Sequence, residues 1–270
     1  MMLRSNPIGV FDSGVGGLSV YRALRAALPH ENFIYLGDTA RLPYGTKSKE
    51  EIERYTLEAA SFLLQHQIKY FVIACNTVSA QALDALQKAL PDLSYGGVIA
   101  TGAEAAIKAT KNGHIALLAT TGTVRSGVYP EVIQQLKPGC DVQMLACGAL
   151  VTLVEEGEWD GAVAETAVTD CLSQLKPGYD TLVLACTHFP ILMPLFQKIC
   201  APEVQLIDSA AATAQMVAGL LMSRDMANPQ SVRGADLFFV TQKPDSFVAL
   251  GSRILGQDIT KKVKLHEWGR

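Results

Sequence analysis

The chain has 270 residues, 49% of them hydrophobic and 18% charged. That supplies a large buried core and excludes both a single small module and long disordered stretches. Its 23 basic and 26 acidic residues are spread along the length and leave a net charge of −3, so the sequence carries no basic footprint for nucleic acid or a membrane surface.

In chain order, short runs rich in Val, Ile, Leu and Phe recur at Ile8 to Phe11, Phe33 to Leu36, Phe71 to Ala74, Ile115 to Ala119, Thr181 to Ala185, Val204 to Ile207 and Leu237 to Val240. Such runs read as strands buried on both faces. The segment 1–11 runs almost directly into the first of them, so no export signal is expected. The apolar run from Tyr70 to Cys75 is far too short to cross a bilayer, and a cytoplasmic protein is expected. Between the strands, Ile52, Tyr55, Thr56, Ala59, Phe62 and Leu63 share one helix face, as do Val78, Ala82, Ala85, Leu86 and Ala89. Strands alternating with helices predict an α/β fold with mostly parallel sheets. Segments Tyr70 to Thr77 and Thr181 to His188 echo each other, each an apolar strand ending in Ala-Cys before small polar residues. An internal duplication into two similar lobes accounts for the echo.

The cysteines at 75, 140, 147, 171, 186 and 200 form no CxxC pair, which predicts reduced thiols and no disulfide framework. Cys140, Cys147, Cys171 and Cys200 are assigned to packing, with Cys147 close to the site.

In a parallel α/β sheet the ligand crevice lies beyond the carboxyl ends of the strands. There the chain places Asp12-Ser13-Gly14, Asp38-Thr39, Cys75-Asn76-Thr77, Thr120 to Thr123, and Cys186-Thr187-His188. Each of the two thiols follows a strand and precedes a helix, where the positive end of the helix dipole favours a thiolate. A lone cysteine would read as a small core hydrophobe. A matched pair, each followed by polar residues, argues for chemistry. The turn from Asp12 to Gly17 is not a phosphate cradle, because Ser19 stands in place of the third glycine, no Gly-Lys-Ser/Thr follows, and an aspartate sits at its mouth. From the residues alone, Asp12 either caps a helix or receives an ammonium group. His188 either packs in the core or shares a proton with Cys186. Spacing does not choose between Glu155 and Glu156.

The motifs Val10 to Gly17, Pro43-Tyr44-Gly45, Ala74 to Thr77 and Ala185 to Pro190, taken together and in this order, resemble the cofactor-independent aspartate/glutamate racemase family, from about Ile8 to about Asp208. The resemblance implies two α/β lobes with the active site between them, the first comprising residues 1–98 and 208–270 and the second 99–207. It implies that Cys75 takes the proton from D-glutamate and Cys186 from L-glutamate, with Asp12 beside Cys75, and Glu155 and His188 beside Cys186. Substrate contacts carry over to Asp12, Ser13, Tyr44, Gly45, Asn76, Thr77, Thr120, Thr123, Thr187 and His188. His188 favours glutamate, since aspartate racemases of the wider family typically carry an acidic residue there. Ala185, Phe189, Gly148 and Thr152 depart from the usual pattern and bear on pocket shape. The expected partner is a small-molecule substrate, glutamate, and the expected role is D-glutamate supply for peptidoglycan. A homodimer is allowed; no cofactor, metal, nucleic acid or membrane is expected.

The chemistry agrees with this. Racemisation removes a proton from one face of a carbon and delivers one to the other, so two acid/bases must straddle the substrate. A thiol, with an ordinary pKa of about 8.5, can both take and return a proton. No pyridoxal lysine is evident at the strand ends. Stabilisation must then be electrostatic, from Asn76, Thr77, Thr187 and nearby backbone N–H groups. Two other classes compete. A two-lobed small-molecule binding protein would need the polar groups but not the thiols, and a thiol hydrolase built on Cys186 and His188 would leave Cys75 without a role. A zinc enzyme fits less well, since no CxxC or HExxH spacing occurs.

Overall fold

In the computed structural model, which describes residues 3–269, the chain first builds β1 (Ile8–Asp12), α1 (Leu18–Ala27), β2 (Phe33–Gly37), α2 (Lys49–Gln65), β3 (Tyr70–Ile73), α3 (Asn76–Gln81), α4 (Leu83–Ala89) and β4 (Tyr95–Gly97). A second series follows: α5 (Ile99–Ala109), β5 (His114–Ala119), α6 (Thr121–Ser126), α7 (Val128–Leu136), β6 (Asp141–Ala146), α8 (Gly148–Glu155), α9 (Gly161–Leu172), β7 (Thr181–Ala185), α10 (Met193–Ile199) and β8 (Gln205–Ile207). The chain then returns through α11 (Ser209–Ser223), β9 (Asp236–Val240), α12 (Pro244–Leu255) and β10 (Val263–Leu265).

The strands form two separate sheets, one of six strands in the order β10-β9-β2-β1-β3-β4 and one of four in the order β6-β5-β7-β8. All the pairings are parallel, as crossovers through helices require. The central strands β1, β3 and β7 are buried along their whole length, which explains why they read as unbroken apolar runs rather than alternating ones. α2 begins at Ser48, whose hydroxyl accepts the Glu51 N–H while the Glu51 carboxylate accepts the Ser48 N–H, closing a capping box. Its apolar face, Ile52, Tyr55, Ala59, Phe62 and Leu63, packs on one side of the six-stranded sheet with Phe11 and Phe71. On the other side a single apolar cluster runs from Val10 and Val72 through α1 and α11 to Leu182 and Leu184 of the second sheet. The two sheets therefore share a core rather than hang on a linker.

The chain crosses between the sheets twice, at Val98 and Asp208, and the helices that follow these crossings, α5 and α11, pack together. Parallel strands all end on the same edge of their sheet. The carboxyl ends of β1, β2 and β3 consequently face those of β5 and β7 across a cleft.

The apolar runs all lie in strands, but β4, β6 and β10 carried no such signal. β4 is Tyr-Gly-Gly, β6 is a partly exposed edge strand with Gln143 in it, and β10 is a short exposed edge strand. The single helix expected through Val78 and Ala89 is broken at Ala82 into α3 and α4. The expectation of thiols without disulfides is corrected at one pair: the sulfurs of Cys147 and Cys171 are joined, with Cα atoms 6.3 Å apart, tying the start of α8 to α9. That separation is within disulfide reach, and two cysteines on neighbouring helices give no local spacing signal. Cys75, Cys140, Cys186 and Cys200 are free thiols. No helix among the described residues is long and apolar enough to cross a membrane.

Candidate active site

The cleft holds a cavity of about 240 Å³ whose wall includes both Cys75 and Cys186. Cys75 is the residue before α3, two positions past the end of β3; Cys186 directly follows β7. Both are 5% exposed. The remaining wall comes from the strand ends, with Ser13, Asn76, Thr77, Thr120, Thr187 and His188, and from the loop carrying Tyr44 and Gly45.

Around Cys75 the environment disfavours charge. Burial and the nearby Asp12 carboxylate push the Cys75 thiol up to about 12, outweighing the Val78 N–H at the start of α3 and the Ser13 hydroxyl 3.8 Å away. The helix-start argument for a thiolate is thus overridden at Cys75: α3 has only six residues, and removal from water is the larger effect.

Around Cys186 the arrangement is different. His188 Nδ1 lies 3.7 Å from Cys186 Sγ, and its Nε2 lies 2.7 Å from Glu155 Oε1. Burial opposes charge on the imidazole, but the hydrogen bonds to Cys186 and Glu155 hold it well above its usual 6.5. Glu155 is pushed up by burial, yet its bond to His188, the imidazolium charge and the Val15 N–H at 2.9 Å bring it below the usual carboxylate value. Glu155, rather than Glu156, is the carboxylate that engages the histidine.

Asp12 lies deeper. One of its oxygens accepts the N–H groups of Gly14 and Gly17, each at 3.0 Å, and the other accepts the Thr187 hydroxyl at 3.2 Å. It has no exposed surface and is not part of the cavity wall. Burial raises its carboxyl above the usual value, against the pull of His188 and the two glycine N–H groups. Asp12 thus braces the turn after β1 and links it to Thr187. Close approach is built into that turn, since a Cβ on Gly16 would stand 2.4 Å from His188 Nδ1.

The structure brings together the other expected residues, with two set behind the wall. Thr123 does not line the cavity but bonds Thr120 at 3.0 Å, which in turn bonds Thr77 at 2.8 Å, a hydroxyl ladder joining the two sheets. Glu155 likewise stands behind His188. Sequence reasoning missed the first turns of α8, where Gly148, Ala149, Val151 and Thr152 close the cavity, although the departures at Gly148 and Thr152 had marked the segment. It also missed Tyr129 on α7, whose hydroxyl donates to Asn76 Oδ1 at 2.7 Å and leaves the Asn76 amide NH2 as the donor available to a ligand. No motif signals Tyr129.

Comparison with known proteins agrees with this geometry. The family model for Asp/Glu/hydantoin racemase matches residues 8–217. A glutamate racemase of Geobacter metallireducens is 46% identical over 250 residues, covering 92% of each chain, and one of Streptococcus equi subsp. equi is 43% identical over 256 residues, covering 94% of this chain and 97% of the relative. Among solved structures, glutamate racemase isoform RacE1 of Bacillus anthracis superposes with a TM-score of 0.93 at 38% identity, and the Francisella tularensis glutamate racemase in complex with D-glutamate with 0.90 at 33%; both alignments cover 98% of each chain. Two thiols across one cavity, on paired parallel sheets that match these enzymes along nearly the whole chain, place the protein in the Asp/Glu/hydantoin racemase family.

Proposed function

We propose that the chain interconverts L- and D-glutamate by two-base proton transfer, with Cys75 and Cys186 as the acid/bases. The observation that carries this is the presence of both thiols in the wall of one small cavity, each at the carboxyl end of a strand from a different sheet. On this reading the substrate α-carbon lies between the sulfurs. One sulfur removes the α-proton as thiolate while the other, as neutral thiol, delivers a proton to the opposite face, which inverts the centre. The high pKa of Cys75 keeps it as the neutral donor in the free enzyme, the form needed when L-glutamate gives up its proton to Cys186. His188, charged and held by Glu155, orients its Nδ1–H toward Cys186 and serves that side of the reaction. The Asn76 amide, the Thr77, Thr120 and Thr187 hydroxyls, and the Ser13 and Gly45 segments surround the α-carboxylate and ammonium. Tyr44 walls the side-chain end. These fixed donors stabilise the charge that builds as the α-proton leaves.

The division into lobes 1–98 with 208–270 and 99–207, a homodimeric state and a cytoplasmic location belong to the same proposal. They fit an enzyme supplying D-glutamate for peptidoglycan, and sedimentation and cell fractionation read the last two.

The test is incubation with D- or L-glutamate in deuterated water without added cofactor. Deuterium should enter the α-position as the opposite enantiomer forms, and replacing either Cys75 or Cys186 by Ser should lower racemisation by roughly 10²-fold or more. A folded protein that neither exchanges nor interconverts either enantiomer sinks the proposal. A covalent acyl adduct on Cys186 would point instead to the hydrolase reading.

A further inference from the structure

Asp38 follows β2 on the cleft edge of the six-stranded sheet and is fully buried. Its two oxygens serve four groups. Oδ1 accepts the Thr241 hydroxyl and the Trp268 indole N–H, each at 2.8 Å. Oδ2 accepts the Tyr44 hydroxyl and lies 3.5 Å from the Arg41 guanidinium. Arg41 in turn is held between the rings of Tyr55, at 4.3 Å, and Trp268, at 4.6 Å, and pairs with Glu58 at 2.6 Å. The topology explains the meeting. β10 is parallel to β9, and β9 to β2, so the tail beyond Leu265 continues past the same sheet edge at which β2 delivers Asp38. His266 N–H bonds Val240 O at 2.8 Å and directs the tail over that edge, while Phe62 packs beside the Trp268 ring.

Tyr44 belongs to the loop that walls the cavity beside Thr120, and its buried ring touches Phe11 and Tyr55. Its hydroxyl is turned away from the cavity into Asp38. We propose that Trp268 and Asp38 are positioning residues for Tyr44, so that the C-terminal tail acts as a strap holding the loop over the cavity and over Cys75. Neither residue touches the cavity, and both act through the hydroxyl they orient. The kinetic half of this rests on the racemase reading above; the strap itself does not.

The test uses the full-length protein and the variants Trp268→Phe, which keeps a ring over Arg41 but loses the N–H, Trp268→Ala, which loses both, and Tyr44→Phe. The first readout is the rate of Cys75 alkylation by iodoacetamide without substrate, relative to Cys200, which lies on a different face after α10. The second is KM against kcat for D-glutamate. Trp268→Ala should raise the Cys75 to Cys200 rate ratio and KM about ten-fold each, with kcat within about two-fold of the parent. Trp268→Phe should fall between, and combining it with Tyr44→Phe should add little to Tyr44→Phe alone. A Trp268→Ala protein with the parent's rate ratio and KM overturns the strap, whether or not its Tm falls, as does full additivity in the double variant. A parent without racemisation would sink the functional reading while leaving the alkylation ratio to decide the strap.

Discussion

Tyr129 Oη and Asn76 Oδ1 stand 2.7 Å apart, and that bond fixes which end of a pocket amide meets the ligand. Tyr129→Phe frees the amide to turn, so KM for glutamate should rise about ten-fold with a smaller change in kcat; equal falls in kcat and kcat/KM would place Tyr129's effect in the transition state instead. For Cys75, a thiol pushed up to about 12 ionises ten-fold more with each pH unit below that value. Its alkylation rate in the free enzyme should therefore keep climbing through about pH 7 to 10, without the half-maximum at about pH 8.5 and the levelling above it of an ordinary thiol. A rate that is half-maximal at about pH 8.5 and then levels contradicts the burial argument. The His188 and Glu155 pair has a stability signature of its own. Folding raises His188, so its contribution is full below 6.5 and is lost as pH rises through the raised value; folding lowers Glu155, so its contribution is full above 4.5 and is lost as pH falls through the lowered value. The Tm deficit of Glu155→Gln should be greatest between pH 4.5 and 6.5 and shrink in alkali, and melting curves across pH will show a different pattern if the imidazole is not the charged partner. At this scale spacing placed the thiols and His188 but could not choose between Glu155 and Glu156, which only the family resemblance did, because the choice depends on which carboxylate the turn of α8 presents to a residue from another strand.

The loop carrying Tyr44 and Gly45 meets the start of α6 with no room between them. A Cβ on Gly45 would lie 2.7 Å from Thr120 Cβ, which is not the far end of a flexible side chain. Gly45→Ala should therefore displace the loop, lowering kcat/KM by about ten-fold or more. An unchanged kcat/KM would mean that the loop takes no part in closing the site. With the exception of the edge strand β8, read from Val204 to Ile207 although only partly buried, elements became legible in the sequence in proportion to burial. The fully buried β1, β2, β3 and β7 announced themselves as apolar runs, whereas β4, β6 and β10 lie at sheet edges, where one neighbour is absent and solvent permits Gly, Gln and Lys. The break between α3 and α4 was hidden for a related reason: the three-and-four spacing passes through Ala82 unbroken, and a change of backbone angles leaves no mark on it.

Across the whole molecule, the two crossings between sheets lie side by side, and buried hydroxyls join them, Thr101 on α5 bonding Thr213 on α11 at 2.7 Å. Thr101→Val strands the Thr213 hydroxyl and should cost about 1–3 kcal/mol in denaturant unfolding, and adding Thr213→Val should recover part of that loss. A double variant as unstable as the sum of the two single ones would show that the hydroxyls do not act as a pair. Because this junction also sets how the sheets face each other, the single variant should alter turnover more than its stability loss explains. The sequence by itself determined the α/β class, the strand-end positions of both thiols and the motifs that carry the family resemblance, since each is local: an apolar run, a spacing, a residue after a strand. Tertiary structure alone decided that Asp12 turns inward to brace a loop, that Tyr129 reaches Asn76 and Trp268 reaches Asp38 from distant elements, that Cys147 meets Cys171, and that burial overrides the helix start at Cys75. Those outcomes depend on which strand ends share a cleft and how much water remains there, and both follow from packing rather than from neighbours in the chain.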